Sequence, residues 1–178
     1  MNNYKLIILD FDGTLCATHE AILYCVKRTY KTLNMTVPAH DFIDETIRAG
    51  LGMEKTLLAL SPELTEQQIQ PILDQYEKIY LSEGEQKSAP YSKAGEVLAK
   101  LHAAGYKLAV VSNKAVAAVN TALERFQLKQ YITAVVGDTK TLRKKPDPMA
   151  YTDFIQPKFK EIDPKQILMV GDTPADLL

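Results

Sequence analysis

The stretch KLIILDFDGTL, residues 5–15, joins a run of apolar residues to two aspartates, Asp10 and Asp12. A continuous apolar run is typical of a strand buried on both faces of a parallel sheet, because an exposed face would require alternating polar residues. Ligands of open α/β sheets bind beyond the carboxyl ends of the strands. The stretch therefore predicts an α/β fold whose first strand places two carboxylates at a binding site.

Three later apolar runs have the same character as the first. They are residues 107–111, 134–136 and 167–170. Helical patterns lie between them, so strands and helices alternate along this part of the chain. Such alternation predicts a doubly wound, Rossmann-like parallel sheet.

Helices are expected at residues 92–104, capped by Ser92, and at about residues 115–127. A further helix is predicted after Asp147 and Pro148, which read as an N-cap followed by proline at the first helical position. These helices would cover the faces of the sheet.

Residues 16–88 interrupt the alternation, since they contain several helical patterns and no convincing strand. We expect a helical subdomain there, inserted into an α/β core formed by residues 1–15 and 89–178. This organisation implies one core domain with a smaller inserted subdomain.

Two helix starts and a linker are predicted inside the insertion. Thr18 is placed to cap the first helix, and Thr65 with Gln68 forms a capping box for a later one. The polar run at residues 82–88 is interpreted as the linker that returns to the core.

The composition excludes several classes of protein. Of 178 residues, 21 are Lys or Arg and 22 are Asp or Glu, so the net charge of -1 provides no attraction to nucleic acid or anionic membrane. The two cysteines, Cys16 and Cys25, form no CxxC motif or Cys/His cluster, which favours a reducing compartment. The N-terminal apolar stretch is too short for a signal peptide or a membrane span. We therefore expect a cytoplasmic protein.

Candidate phosphate-binding groups follow the second predicted strand and a proline-marked loop. Ser112 and Asn113 end the strand, where a hydroxyl and an amide can donate hydrogen bonds to phosphoryl oxygens. Lys145 precedes Pro146, which restricts the backbone and so aims the ammonium at a fixed point. The alternatives are a strand-end cap for the first two residues and a solvated surface lysine, which is the interpretation preferred for Lys144.

Acidic residues follow the fourth predicted strand in the stretch GDTPAD, residues 171–176. Asp172 and Asp176 lie one helical turn apart, on the same side. Carboxylate oxygens without soft ligands nearby suit magnesium. The alternative is that Asp172 only caps a helix, just as Asp12-Gly13 can be read as an ordinary turn.

The candidate groups follow successive strands or a proline-marked loop in a fixed order. The order is Asp10 and Asp12, then Ser112, then Lys145, then Asp172 and Asp176. It resembles the motif order of the haloacid dehalogenase superfamily of phosphatases. The motifs VVSNK, KKPDP and GDTPAD look most like those of the phosphoglycolate phosphatase branch, which carries a helical cap just after its first motif.

The resemblance implies a covalent mechanism. Asp10 would attack phosphorus and form an acyl phosphate, which splits one difficult displacement into two easier ones. Asp12 would donate a proton to the departing alkoxide and later accept one from water. Ser112 and Lys145 would neutralise the transferring phosphoryl group.

The resemblance also implies a magnesium ion. Its ligands would be the Asp10 carboxylate, the Asp12 backbone carbonyl and Asp172, with Asp176 supporting this set from outside it. The implied substrate is a small organic phosphate monoester of the phosphoglycolate or sugar-phosphate type. A phosphomutase, a non-enzymatic phospho-acceptor and an inactive homologue remain as alternatives.

The inserted segment offers one candidate for substrate recognition. Arg48, beside Gly50-Leu51-Gly52, could reach an anionic substrate, although an ordinary exposed helix arginine has the same sequence pattern. His19, His40 and His102 show no metal-ligand spacing and are expected at the surface.

The last motif lies close to the end of the chain, since Leu178 follows Asp176 by two residues. The resemblance implies that a helix and another strand follow this motif, so we expect a truncated form of a longer protein. The fourth strand would then lack its outer neighbour, and its apolar edge would favour self-association.

Overall fold

The computed structural model describes residues 4–139 and 141–177, without the side chain of Glu66. It divides into two compact units. One comprises the described parts of Met1–Ala17 and Pro90–Leu178, and the other is Thr18–Ala89. These bounds differ by one or two residues from those expected from the sequence. Within the described residues, no helix combines the length and the apolar character needed to cross a membrane.

The strands build one main sheet and one small sheet. They are β1 (Leu6–Leu9), β2 (Cys16–Ala17), β3 (Ala89–Pro90), β4 (Lys107–Ala115), β5 (Ala134–Asp138) and β6 (Ile167–Val170). The main sheet has the order β5-β4-β1-β6, and each adjacent pair is parallel. β2 and β3 form the two-stranded sheet. The predicted α/β class with a parallel sheet is confirmed.

Both faces of the main sheet are covered. Along β1, Ile7 and Leu9 pack into one core cluster, whereas Leu6 and Ile8 pack into another. β4 divides its side chains between the same two clusters. Burial on both faces explains why these strands read as continuous apolar runs.

β4 is longer than predicted. It runs to Ala115, four residues beyond the apolar run that ends at Val111. Its pairing with β5 changes register between these two residues. Ser112, Asn113 and Lys114 lie within the irregular segment, so a polar sequence that is untypical of a buried strand continues β4 to the carboxyl edge of the sheet.

Helices occupy the second unit and the segments between the main strands. They are α1 (His19–Thr32), α2 (His40–Arg48), α3 (Met53–Leu60), α4 (Glu66–Ile79), α5 (Ala94–Ala103) and α6 (Val116–Arg125). The predicted capping box of Thr65 and Gln68 is confirmed at the start of α4. α1 buries the apolar face that its sequence predicts, including Val26 and Tyr30.

Thr18 precedes α1 as predicted, but the prediction that its hydroxyl caps the helix is wrong. Its backbone has φ -112° and ψ -12°, whereas capping residues usually have an extended backbone that turns the side chain toward the first turn. The hydroxyl is instead buried without a hydrogen-bond partner among the described residues.

Other local predictions also need correction. α5 begins at Ala94 and not at Ser92, because Lys93 takes the cap position with a left-handed backbone, φ 69°. The run at residues 82–88 is not an open linker, since it lies in a π-helical turn and a 3₁₀ turn. The segment after Asp147 forms a π-helical turn, Ala150–Ile155, in place of a regular α-helix. Local cap signals were therefore less informative than strand patterns.

Candidate active site

The centre of the candidate site is a buried lysine between two buried aspartates. Asp10 follows β1, and its backbone N–H donates to the carbonyl of Val170 at the end of β6. The Lys145 ammonium donates to Asp10 Oδ1 at 2.8 Å and to Asp176 Oδ1 at 2.5 Å. It also donates to the carbonyl of Val111 at 3.0 Å. Lys145 is 3% exposed, so the alternative of a solvated surface lysine is wrong for this residue.

The Asp10 carboxyl is electrostatically unusual. Burial raises its pKa from 3.8 to about 6, although the charge and hydrogen bond of Lys145 act in the opposite direction. Asp176 and Asp12 add smaller contributions that also raise this pKa. A carboxyl that is costly to ionise in a buried site favours a further nearby cation.

Three carboxylates converge at this edge of the sheet. Asp10, Asp172 and Asp176 each offer an oxygen atom, and these atoms lie within 4.8 Å of one another. If all three are ionised, Lys145 compensates one of three negative charges, so the group retains a charge that a divalent cation matches. The donors are all hard oxygens, which fits magnesium.

Asp12 lies outside this group of carboxylates. Its Oδ1 accepts a hydrogen bond from the Lys114 ammonium at 3.2 Å, and both side chains are mostly buried. Sequence reasoning assigned no role to Lys114, although the residue stands in the quoted motif VVSNK. The contact joins residues 102 positions apart, so no local pattern could have indicated it.

The side chain of Asn113 contacts Lys145. Its Nδ2 donates to the Lys145 carbonyl at 3.1 Å, and its Oδ1 accepts from the Lys145 N–H at 2.7 Å. These two bonds align the loop that carries the lysine with the end of β4. The amide therefore holds the lysine's main chain in this structure, in contrast to the predicted role of a direct phosphate ligand.

Ser112 lies at the same edge and is buried. Its Oγ accepts a hydrogen bond from the Lys114 backbone N–H at 3.2 Å. A hydroxyl that accepts one hydrogen bond still has its own proton to donate. The residue thus retains the donor that a phosphoryl oxygen would need.

Lys144 differs from its predicted solvated state. Its ammonium lies 3.0 Å from Asp138 Oδ2, at the end of β5, and its side chain is 13% exposed. The prediction of a solvated surface lysine is wrong because β5 ends in an acidic residue that the loop folds against. The two neighbouring lysines thus contact different carboxylates.

The last motif uses its two aspartates differently. Asp176 Oδ2 accepts from the Thr173 backbone N–H at 3.0 Å and from the Thr173 hydroxyl at 2.9 Å, which forms a capping box for the 3₁₀ turn Pro174–Asp176. Asp172 precedes this capping box and does not cap the turn. The alternative interpretation, that Asp172 only caps a helix, is therefore wrong. Asp172 is exposed, and its Oδ1 accepts a hydrogen bond from the Thr14 hydroxyl at 2.9 Å.

The second unit contains its own charged cluster. Arg48 binds Asp44 through Nε at 2.7 Å and Nη2 at 3.3 Å, and His19 Nε2 lies 2.6 Å from Asp44 Oδ1. The hydrogen bonds from Arg48 and then His19 lower the pKa of Asp44 to about 2. His19 was expected at the surface, and its side chain is 25% exposed while it contacts Asp44. Arg48 is exposed but already paired within its helix.

The fold and the site together define an α/β enzyme with a carboxylate-rich centre at the carboxyl edge of a parallel sheet. Haloacid dehalogenase-like hydrolase is the family whose model matches residues 7–178. The chain belongs to this family, which confirms the resemblance inferred from its motifs.

Individual relatives agree with this assignment. The chain is 27% identical to a phosphoglycolate phosphatase of Vibrio vulnificus (strain CMCP6), covering 98% of this chain and 78% of that protein. It is 30% identical to a phosphoglycolate phosphatase of Psychrobacter arcticus, covering 98% and 77%. A crystal structure from Haemophilus somnus 129pt, described as a predicted phosphoglycolate phosphatase, has 28% identity and a TM-score of 0.84, covering 99% of this chain and 80% of that one.

Proposed function

We propose that this protein is a magnesium-dependent phosphatase that hydrolyses a small organic phosphate monoester through an aspartyl-phosphate on Asp10. The observation that carries the proposal is the contact of Lys145 with Asp10, beside Asp172 and Asp176. A nucleophile needs a nearby cation when the incoming group is an anionic phosphoryl group. The named relatives support phosphoglycolate as the first substrate to test, with sugar phosphates next.

The first step would transfer the phosphoryl group to the protein. Lys145 holds Asp10 Oδ1, and among the described residues no hydrogen bond holds Oδ2. An Asp10 oxygen attacks phosphorus as the bond from phosphorus to the ester oxygen breaks. Asp12 gives its proton to the departing alkoxide, and Lys114 keeps the Asp12 carboxyl group oriented.

The second step would release inorganic phosphate. Asp12, now a carboxylate, accepts a proton from the attacking water, and the bond between phosphorus and the Asp10 oxygen breaks. Ser112 donates its hydroxyl proton to a phosphoryl oxygen, while Lys145 neutralises part of the charge. Asn113 would act indirectly, because its side chain hydrogen-bonds the backbone N–H and the backbone carbonyl of Lys145 and so positions the ammonium.

Asp10 and Asp172 would hold the magnesium ion, with the Asp12 carbonyl as a third protein ligand. Magnesium supplies positive charge to the phosphoryl oxygens. Both oxygens of Asp176 are already engaged by Lys145 and Thr173, which supports an indirect role for this carboxylate. The chemistry of the donor set therefore fits a hard divalent cation.

The proposal is tested by measuring released phosphate from a panel of phosphate esters, with magnesium and with a chelator. Phosphoglycolate, several sugar phosphates and an aryl phosphate form the panel. Magnesium-dependent release from at least one ester is expected. Conversion of one sugar phosphate into its isomer would indicate a phosphomutase, and no reaction with any member would contradict the proposal.

Asp12→Asn is expected to slow hydrolysis of alkyl phosphates by about a hundredfold to ten-thousandfold. The loss should be smaller for an aryl phosphate, because an aryl oxide leaves with little protonation. The measurement is kcat/KM for phosphoglycolate and for p-nitrophenyl phosphate in the same variant. Equal losses for both substrates would show that Asp12 is not the acid in the first step.

We also propose that the 178-residue chain self-associates through β6. Among the described residues nothing pairs with the outer edge of this strand, and Val170 is 37% exposed. An open apolar edge can pair with another chain. Leu168→Lys should lower the dimer fraction in light scattering, whereas Val97→Lys, on the exposed side of α5, should not. A wild-type chain that is monomeric at high micromolar concentration would contradict the proposal.

A further inference from the structure

The three carboxylates of the site differ in their burial and in the hydrogen bonds that fix their orientation. Asp10 and Asp176 are buried and share the Lys145 ammonium. Asp172 is exposed, and among the described residues Thr14 is the one side chain that hydrogen-bonds its carboxylate, at 2.9 Å. An exposed aspartate with few contacts samples several rotamers unless a partner selects one. The orientation of Asp172 thus depends on Thr14.

Gly13 shapes the other side of the same carboxylate. It has φ 81°, and a Cβ built there would lie 2.1 Å from Asp172 Oδ2. A side chain at this position would therefore displace the carboxylate. Gly13 leaves room for Asp172 to approach the backbone, and Thr14, the next residue, donates the hydrogen bond that keeps it there.

We infer that Thr14 is a positioning residue for the cation site, which it serves by fixing the orientation of Asp172. The inference rests on the proposed function, because it assumes that Asp172 is a ligand. Thr14 holds one carboxylate oxygen and leaves the other to act as a ligand. Outer partners of metal-binding side chains typically contribute about tenfold to a hundredfold in metal affinity.

The test uses binding of Mn²⁺ alone to the full chain, followed by electron paramagnetic resonance, with Mg²⁺ affinity obtained by competition. Thr14→Val removes the hydroxyl and nearly preserves the shape, and we expect it to weaken Mn²⁺ binding about tenfold. Thr14→Ser keeps a hydroxyl that can donate to Asp172, so its Mn²⁺ affinity should be close to that of wild type. Thr14→Ala is measured alongside, so that a folding defect caused by the valine methyl group is recognised.

Thr152→Val is the matched control. The Thr152 hydroxyl donates to Asp153 Oδ1 at 2.6 Å on the protein surface, so the variant loses the same type of bond without touching the site. Its Mn²⁺ affinity should equal that of wild type. In Thr14→Val and Thr14→Ala, but not in Thr14→Ser, the magnesium concentration for half-maximal activity should rise while kcat at saturating magnesium and KM for the ester change little.

The possible results are distinguishable. Weaker binding in Thr14→Val and Thr14→Ala that serine restores would support the inference. Unchanged Mn²⁺ binding in both variants would overturn it and leave the proposed phosphatase function standing. Weak binding in Thr14→Ser as well would also overturn it, because the hydroxyl would then not be the relevant group. A wild-type chain that binds no Mn²⁺ would overturn both this inference and the proposed metal site.

Discussion

Asp10→Asn is expected to reduce phosphate release by about ten-thousandfold or more, since the variant lacks the oxygen that attacks phosphorus in the proposed covalent mechanism. The substitution nearly preserves the shape of the side chain, so the loss would be chemical and not a consequence of unfolding. The measurement is kcat for the best ester in the panel, together with a chemical trap for the phosphorylated protein. Hydrolysis within tenfold of wild type would rule out nucleophilic catalysis by Asp10.

The same substitution should stabilise the metal-free protein above neutral pH. The folded-state pKa of Asp10, about 6, lies above its usual 3.8. The folded protein therefore holds the Asp10 proton more tightly than the unfolded chain does. The stabilisation that this proton provides is fully present below about pH 4 and is lost as the pH rises through about 6. A pKa elevation of this size corresponds to about 3 kcal/mol. The asparagine side chain does not ionise, so the variant should avoid this loss.

Urea unfolding in the presence of a chelator measures this effect. At about pH 4 the wild type and Asp10→Asn should have similar stability, whereas at about pH 7.5 the variant should be more stable by up to about 3 kcal/mol. Asp41→Asn, at an exposed position in the first turn of α2, is the matched control and should change stability by no more than about 1 kcal/mol at either pH. A constant difference between wild type and Asp10→Asn across this range would show that the Asp10 carboxyl is not perturbed.

Lys145→Met is expected to lower both the activity and the stability of the protein. The variant removes the ammonium that contacts Asp10 and Asp176, so the phosphoryl group would meet two buried carboxylates without this compensating charge. Loss of one such electrostatic contact typically costs about a hundredfold to a thousandfold in kcat. Steady-state kinetics at saturating magnesium measure this loss.

Stability provides a second measurement for Lys145→Met. Breaking a buried ion pair by removing one partner typically costs about 3–5 kcal/mol, because the remaining charge is left uncompensated. The loss should be largest above about pH 7 and should shrink as the pH falls and Asp10 accepts a proton, since the variant lacks the lysine charge and hydrogen bond that lower the pKa of Asp10. Circular dichroism during urea titration at several pH values follows this change.

Lys144→Met is the natural control, because it removes a neighbouring lysine whose ammonium pairs with Asp138. Its activity should stay within about tenfold of wild type, a factor that corresponds to roughly 1.4 kcal/mol. Equal losses of activity in the two variants would mean that the loop, and not the Lys145 ammonium, determines turnover.

Much of the core could be predicted because its signals are local. Strand β6 has the bounds of the predicted apolar run, and β1 begins one residue later than predicted. A strand buried on both faces, such as β1, leaves a continuous apolar pattern that needs no knowledge of its neighbours. β6 has the same pattern, but the expectation that it is fully buried is wrong, because it lies at the edge of the sheet and is partly exposed. Predictions from caps were less successful, as Thr18 and Ser92 show, because cap geometry depends on backbone angles that the flanking contacts decide.

The amino-acid sequence by itself determined the α/β class, the acidic residues that end β1 and follow β6, and the family to which the chain belongs. Only the tertiary structure decided which groups touch. Lys145 donates a hydrogen bond to Asp10, which lies 135 positions away in the sequence. Lys114 likewise donates to Asp12, 102 positions away, and Thr14 to Asp172, 158 positions away. The physical reason is that parallel strands bring their carboxyl ends to one edge from distant parts of the chain, whereas a sequence pattern reports only on neighbours along it.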